Sequence, residues 1–364
     1  MTVKEITTIL EELAPLPQAE DFDNVGLLVG SNNVEVTGVL VTLDTLENVI
    51  DEAIAHKCNL VVSFHPIIFN GLKKITGKTY VERTIIKAIK NDIAIYSMHT
   101  ALDNAPEGVN AKICAVLGIK NPKILIPKKG NLKKLTTYVP KDAEKNLSEA
   151  LFLAGAGHIG NYSNCSFTTE GIGSYRADKT AKPTKGEIGK THYEGEIQLN
   201  LVFSAPFEDK ILNALFKNHP YEEVAYEILT LNNTNEHIGM GMIGTLEKPI
   251  SGLDFLKQVK NKMNAKGIRH SKLPDSLVQK VAVLGGSGAF AIGAAKAAGA
   301  DVFLTADIKY HQYFEAENQM ILADIGHFET EQFTKNLLVD YLTKKIPNFA
   351  VRLSESKTNP INYL

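Results

Sequence analysis

The chain has no tryptophan, only three cysteines and no excess of charge of either sign. Its 364 residues carry 39 Lys and Arg against 41 Asp and Glu, a formal net charge of -2, with no run of like charge. That balance excludes a protein that tracks polyphosphate or sits on an anionic membrane through bulk charge. Without indoles or a basic excess, no stacking surface for nucleic acid is expected, and only a local basic patch would provide one. Cys58, Cys114 and Cys165 are odd in number and far apart. Neither a disulfide framework nor a thiolate metal cage is therefore expected, and a reducing compartment is the natural setting. No stretch approaches the roughly 20 apolar residues of a membrane span. The opening MTVKEITTILEEL carries acidic residues and helix-spaced apolar ones (Val3, Ile6, Ile9, Leu10, Leu13), where a secretory leader needs a basic start and a continuous apolar run. A cytoplasmic protein is expected.

What the chain does have is 44% hydrophobic and 22% charged residues, enough for a real core. The length suggests two domains, or one large domain carrying an insertion. From Gly38 to Ser97, short apolar runs alternate with helix-period segments: GVLVTL, LENVIDEAIAHK, NLVVSF, YVERTIIKAIKN, IAIYS. This is βαβαβ, hence a parallel sheet covered by helices. The rhythm returns after about residue 276 with KVAVLGG, a small-residue helix, DVFLTAD, a helix near Lys309 to Asn318, MILADIG and the helix TEQFTKNLLVDYLTKK. The middle reads βαββαβ, the split-βαβ pattern of ferredoxin-like domains. The expectation is a discontinuous α/β domain over 1–127 and 241–364, interrupted by an inserted α+β domain over 128–240. Its hinges are expected in ILIPKKGNLKK and LNNTNEHIGMGMIG, and SYRADKTAKPTKGEIGKTHYEG is expected as a loop.

Ligands of parallel α/β sheets bind beyond the carboxyl ends of the strands. His65 follows NLVVSF; His99, Thr100 and Asp103 follow IAIYS; Asp307 and His311 follow DVFLTA; His327 and Glu331 follow MILADIG. Each residue alone also fits a structural role: a turn histidine, a core histidine, a cap, or an i,i+4 pair on one helix face. Four strand ends that each deliver an imidazole, three with a carboxylate close behind, point together to a divalent-metal site. Imidazole and carboxylate without thiolate suit zinc first, and also Fe, Mn, Co or Ni, in an open hydrolytic site. Asp103 or Glu331 is of the type that bridges two ions. Gly285, Gly286, Ser287 and Gly288 follow a strand and open a helix, so they are either a phosphate-binding turn or a tight connection. DFDNVGLLVG, 21–30, is expected as a turn-rich loop whose Asp23 and Asn24 line the site or whose glycines serve packing.

The combination of DFDNVGLLVG, SFHPIIF, HTALD, GGSG, TADIKYH and GHFETE, in this order, resembles the NIF3-like proteins, also called the GTP cyclohydrolase 1 type 2 homologue family. GHIGNYSNCSFTTEGIGSY and HPYEEVAYEI are similar to the PII/CutA-like insertion of its long bacterial members. The resemblance implies a two-metal α/β fold assembled as a toroidal homohexamer, with ligands at His65, Asp103, His327 and Glu331. It also implies a second histidine at the position of Phe64, which cannot coordinate. One or two ions per chain are therefore expected: one held tightly, a second held weakly, or a substitute ligand such as His99 or His311 recruited. Ala306 and Phe22 are milder departures from the family pattern.

The activity implied is metal-dependent hydrolysis of a nucleotide or related heterocycle, with His99 or His311 moving protons and phosphate resting on Gly285–Gly288. The alternative is a metal-binding regulatory or scaffold ring whose insert senses a small molecule, because fold alone does not fix function.

Overall fold

A computed structural model describes residues 1–160 and 162–364; Asn161, the first residue of the strand-like stretch NYSNCSFTTEG, lies outside them. The chain divides into two compact units, Met1–Pro127 with Glu236–Leu364, and Lys128–Asn235.

The first unit begins with α1 (Val3–Leu13), capped by reciprocal hydrogen bonds between Thr2 and Glu5. There follow β1 (Gly26–Val29), β2 (Val39–Thr42), α2 (Glu47–Ala55), β3 (Leu60–Ser63), α3 (Tyr80–Lys90), β4 (Ala94–Ser97), α4 (His99–Asp103), α5 (Val109–Leu117) and β5 (Lys120–Lys129). The second unit comprises β6 (Leu132–Pro140), α6 (Glu144–Leu153), β7 (Phe167–Arg176), β8 (Thr191–Ser204), α7 (Glu208–Asn218) and β9 (Tyr226–Leu231). The chain closes with β10 (Thr234–Ser251), α8 (Gly252–Lys262), β11 (Arg269–His270), β12 (Leu277–Ser287), α9 (Ile292–Ala297), β13 (Val302–Ala306), β14 (Ile321–Asp324), α10 (His327–Glu331), α11 (Thr334–Lys345) and β15 (Val351–Leu353).

Two sheets build the first unit. One has the order β1-β4-β3-β2-β15, parallel except for β1. The other has the order β11-β14-β13-β12-β10-β5, with β12, β13 and β14 parallel. Every residue of β2, β3, β4, β13 and β14 is buried, as strands covered on both faces require. A single apolar cluster joins Val41, Val62 and Tyr96 of the first sheet to Val283, Leu304 and Ala323 of the second, through Leu10, Val259 and Leu338 of the helices. This shared core fixes the two sets of strand ends relative to one another.

Several elements differ from expectation. DFDNVGLLVG contains a strand, β1, held antiparallel to β4 by pairing that its glycines and short length conceal. The two segments expected as hinges do contain the unit boundaries, but they are largely strand: ILIPKKGNLKK joins the end of β5 to the start of β6, and LNNTNEHIGMGMIG runs into β10. The expected loop after Gly173 is shorter: β7 and β8 extend as a ribbon as far as the Arg176–Thr191 pair, exposed enough to lack an apolar alternation. The helix near Lys309 is a 3-10 turn, Tyr310–Ala316, and the last helix is broken into α10 and α11.

In the second unit the sheet order is β7-β8-β6-β9, every pair antiparallel. Leu147 and Leu151 of α6, with Ile211 and Leu215 of α7, pack onto Leu135, Leu199 and Phe203 on one face of this sheet. No helix among the described residues is long and apolar enough to cross a membrane.

Candidate metal centre

His65 lies just past β3, where its N–H donates to the Leu43 carbonyl (2.9 Å) and the Ser97 hydroxyl fixes the carbonyl of Phe64 (2.7 Å). His327 and Glu331 begin and end α10, one turn apart, so they share its face. Gly326 precedes them at φ 100°, a conformation that a side chain resists, and a Cβ there would collide with the Glu329 carboxylate. The two sheets thus deliver three side chains to one point. Glu331 Oε2 lies 3.1 Å from His65 Nε2 and 3.2 Å from His327 Nε2, and the two Nε2 atoms are 3.4 Å apart. Oε2 is buried and no ring N–H is aligned to satisfy it. Around an ion bound at about 2.0–2.1 Å, tetrahedral ligand atoms stand about 3.3 Å apart, so this triangle has the spacing of a donor set. The donor chemistry fits a divalent cation of the zinc type.

Each imidazole is oriented from behind. His65 Nδ1–H donates to Asp44 Oδ1 (2.8 Å) and His327 Nδ1–H to Asp307 Oδ2 (2.7 Å), which turns both Nε2 lone pairs inward. The Ser287 hydroxyl donates to the same Asp307 oxygen. Asp307 adopts φ 57°, an uncommon conformation for a residue with a side chain, of the kind that collects at functional sites. His99, also at positive φ (24°), repeats the arrangement through Asp23, with Nδ1–H donating to Oδ1 (2.8 Å) while Thr100 donates its N–H (3.0 Å) and hydroxyl (2.5 Å) to Oδ2.

The electrostatics follow from burial and pairing. Burial disfavours the charged ring of His65, but the carboxylates of Asp44 and Glu331 outweigh it and carry its pKa up to about 10. His327 is moved the same way, to about 9, by Glu331 and Asp307 against burial. Burial also opposes the charge of Glu331, yet the two imidazoles hold it down to about 2. Asp103 behaves oppositely: burial of its carboxyl group and the nearby negative charge of Glu331 push it well above the usual carboxylate range. Its Oδ1 is buried without a hydrogen-bond partner. Asp23 and Asp307 are held below the usual range, burial being overcome by their histidine and hydroxyl donors.

Among the described residues, His65, His327 and Glu331 form a trio whose ligand atoms lie within 4.8 Å of one another; Asp103 stands outside that trio but within its field. Phe64 is fully buried and packs its ring on His65 (4.9 Å between centroids) and His99 (5.5 Å). His311 is not brought in: it sits on the exposed 3-10 turn with its ring against Tyr310 and Phe314. The turn Gly285–Gly288, read as either a phosphate site or a tight connection, has its first two N–H groups engaged within the protein. The Gly285 N–H donates to Asn110 Oδ1 (3.0 Å) and the Gly286 N–H to the Thr330 hydroxyl (2.9 Å), so neither faces an anion. Gly286 instead gives Glu331 room, since a Cβ there would strike its carboxylate. Asp44 escaped the sequence reading although it lies two residues past β2; the strand-end rule that found His65 would have found it. At the mouth, Phe22 (67% exposed) faces Phe69 (46%) with ring centroids 6.5 Å apart, and Phe69 reaches His99 (6.2 Å).

A profile of the Duf34/NIF3 (NGG1p interacting factor 3) family matches residues 1–360. A Bacillus subtilis protein called GTP cyclohydrolase 1 type 2 homolog is 39% identical, covering 99% of this chain and 98% of its own length. A Staphylococcus epidermidis protein of the same name is 33% identical over the whole of both chains. Among solved structures, the Bacillus cereus protein related to NIF3 superposes with a TM-score of 0.87 at 36% identity, covering 100% of this chain and 99% of its own.

Proposed function

The chain belongs to the Duf34/NIF3 family, and from that premise we propose that it is a divalent-metal-dependent hydrolase acting on a nucleotide or related heterocycle. The observation that carries this reading is the triangle of His65 Nε2, His327 Nε2 and Glu331 Oε2 at 3.1–3.4 Å, backed by Asp44 and Asp307. An ion bound there, zinc first, supplies Lewis acidity toward water and substrate. Asp103 is the additional carboxylate through which a second ion would be shared. Asp44 and Asp307 keep the imidazoles in one tautomer and one orientation. His99, held at Nδ1 by Asp23, presents Nε2 as the atom that takes or gives a proton. Phe22 and Phe69, their rings inclined at 59° to one another, offer exposed aromatic faces against which a planar base would pack. Phe64 fills the place where the family pattern has a second histidine, which favours one tightly held ion over two.

The reading extends to the second unit as an inserted PII/CutA-like domain, supported by its βαββαβ order and 2-3-1-4 strand arrangement. A homohexameric ring in the cytoplasm completes it, on the strength of the family resemblance. A second reading, a metal-binding regulatory or scaffold ring, draws on Phe64, since a site short of a ligand binds metal without a full catalytic set.

The test is turnover of GTP by metal-loaded protein beside a His65→Ala variant of unchanged unfolding midpoint. Ring-opened product that disappears in the variant supports the hydrolase. Metal bound in full with no turnover of any nucleotide replaces it with the regulatory reading.

A further inference from the structure

The second unit contains a cavity of about 850 Å³, within the size range of small-molecule sites. Its floor is the face of the sheet away from the helices, where Tyr138, Gln198 and Thr169 lie in one cross-strand row. Glu196 occupies the next row and rests across Gly173, where any Cβ would strike its carboxylate, so the strand is kept bare for it. One wall is the turn after α7. His219, buried, donates from Nε2 to the Tyr138 carbonyl (3.0 Å) and accepts at Nδ1 from the Tyr221 N–H (3.1 Å), which fixes the ring of Tyr221 beside the floor. The Tyr221 hydroxyl donates to Glu196 (2.8 Å). The opposite wall is the segment 177–184, stapled to that turn by the Lys182 N–H on Glu222 (2.6 Å) and the Thr184 hydroxyl on the Pro220 carbonyl (3.2 Å). Tyr175 stands edge-on to Tyr221 with centroids 6.5 Å apart, its hydroxyl anchored on the Lys185 carbonyl (2.6 Å).

The hydroxyls of Tyr175 and Tyr221 are thus taken up by the protein, and what these two residues offer the cavity is their rings, next to a half-buried carboxylate. Of the charged side chains lining it, five are carboxylates and two are cations. Aromatic faces around a carboxylate are the chemistry that recognises an ammonium group, through the ring quadrupole and the opposite charge together. We propose that this cavity binds an organic cation, a small molecule carrying an alkylammonium or guanidinium group, with Tyr138, Tyr175 and Tyr221 around the charge and Glu196 as its counter-ion. Every residue in the argument lies in the second unit, so the inference stands apart from the metal centre.

The test is calorimetric titration of the full chain with choline, with agmatine, and with 3,3-dimethylbutan-1-ol, the neutral isostere of choline, while tyrosine ring resonances are followed by NMR. The expected result is binding of at least one cation, with choline, where it binds, at least about tenfold tighter than its isostere, the ratio that cation–π and charge terms of about 1–2 kcal/mol give. Glu196→Gln should weaken the cation by about tenfold and Tyr221→Ala by at least as much, whereas Tyr221→Phe, which keeps the ring, should retain it. Unfolding midpoints of all variants are measured alongside, and a variant that fails to fold leaves the comparison of Glu196→Gln with Tyr221→Phe to decide. The proposal is overturned if neither cation binds, if choline and its isostere bind equally, if binding is indifferent to Glu196→Gln and Tyr221→Ala, or if inorganic phosphate displaces the cation.

Discussion

The hydroxyl of Thr358 donates to Asp44 Oδ2 at 2.7 Å, across 314 residues of sequence, while the other oxygen of that carboxylate takes the Nδ1–H of His65. The C-terminal segment therefore reaches the candidate metal centre through one intermediate, and the orientation of His65 depends on a residue in the tail that follows β15. Carboxylates in this position tune both the direction and the basicity of an imidazole ligand.

Replacing that support should loosen metal without unfolding the chain. Asp44→Asn is expected to weaken zinc binding by about 10–100-fold, and Thr358→Val by a smaller factor. Competition titration against a chromophoric chelator measures both, with thermal unfolding as the control. Equal affinity in wild type and Asp44→Asn would show that His65 needs no partner at Nδ1.

Phe64 is fully buried between His65 and His99, where a histidine would add a donor. Phe64→His should raise the metal content by up to one ion per chain. In metal-free protein it should cost about 1–3 kcal/mol for a buried polar ring without a partner. Elemental analysis and denaturant unfolding check the two halves separately.

Gly286 adopts φ 68°, and a Cβ there would meet the Glu331 carboxylate. Gly286→Ala should cost about 1–2 kcal/mol in backbone strain alone and push Glu331 off the triangle, so metal is lost together with stability. A variant that retains wild-type metal affinity would place Glu331 outside the ligand set.

The loop leaving His65 is anchored at its far end by Glu82, which accepts from the Thr76 N–H (2.7 Å), the Thr76 hydroxyl (2.8 Å) and the Lys78 N–H (3.1 Å). Those bonds, led by the Thr76 N–H, hold its pKa down to about 2 against an ordinary 4.5. A group whose pKa is lower in the folded state stabilises it above the ordinary value, and that stabilisation is lost as pH falls through the folded value. The difference in unfolding midpoint between wild type and Glu82→Gln should thus be constant above about pH 5 and vanish between pH 4.5 and about 2. A difference that grows on acidification would contradict it.

Much of this architecture is legible in the residues. The buried parallel strands carry short apolar runs such as Leu60-Val61-Val62 and Val302-Phe303-Leu304, and the helices between them keep their 3.6-residue spacing, so the alternation at both ends of the chain reads directly. The strand-end rule then points to His65, His99, Thr100, Asp103, Asp307, His311, His327 and Glu331 together, and the family resemblance singles out His65, Asp103, His327 and Glu331 among them as ligands. β1, β5 and the start of β10 do not read, because their glycines, lysines and asparagines are held in strand geometry by pairing with distant segments rather than by local preference. Asp44 and Thr358 do not read as a pair either, since only the parallel pairing of β15 with β2 brings the tail alongside. The glycines at 285–288 read from spacing alone as either an anion cradle or a tight strand-to-helix connection. Only the positions of Asn110, Thr330 and Glu331 reveal that the turn is packed inward.

The central claim is that His65, His327 and Glu331 hold a divalent ion. Elemental analysis of protein purified without added metal or chelator, beside His65→Ala and Glu331→Gln of matched folding, tests it most directly. The account predicts about one tightly held ion per chain in the wild type, with zinc first and a second ion weak, and its loss in both variants. No metal in the wild type even after zinc is added, or equal metal in all three proteins, would contradict it.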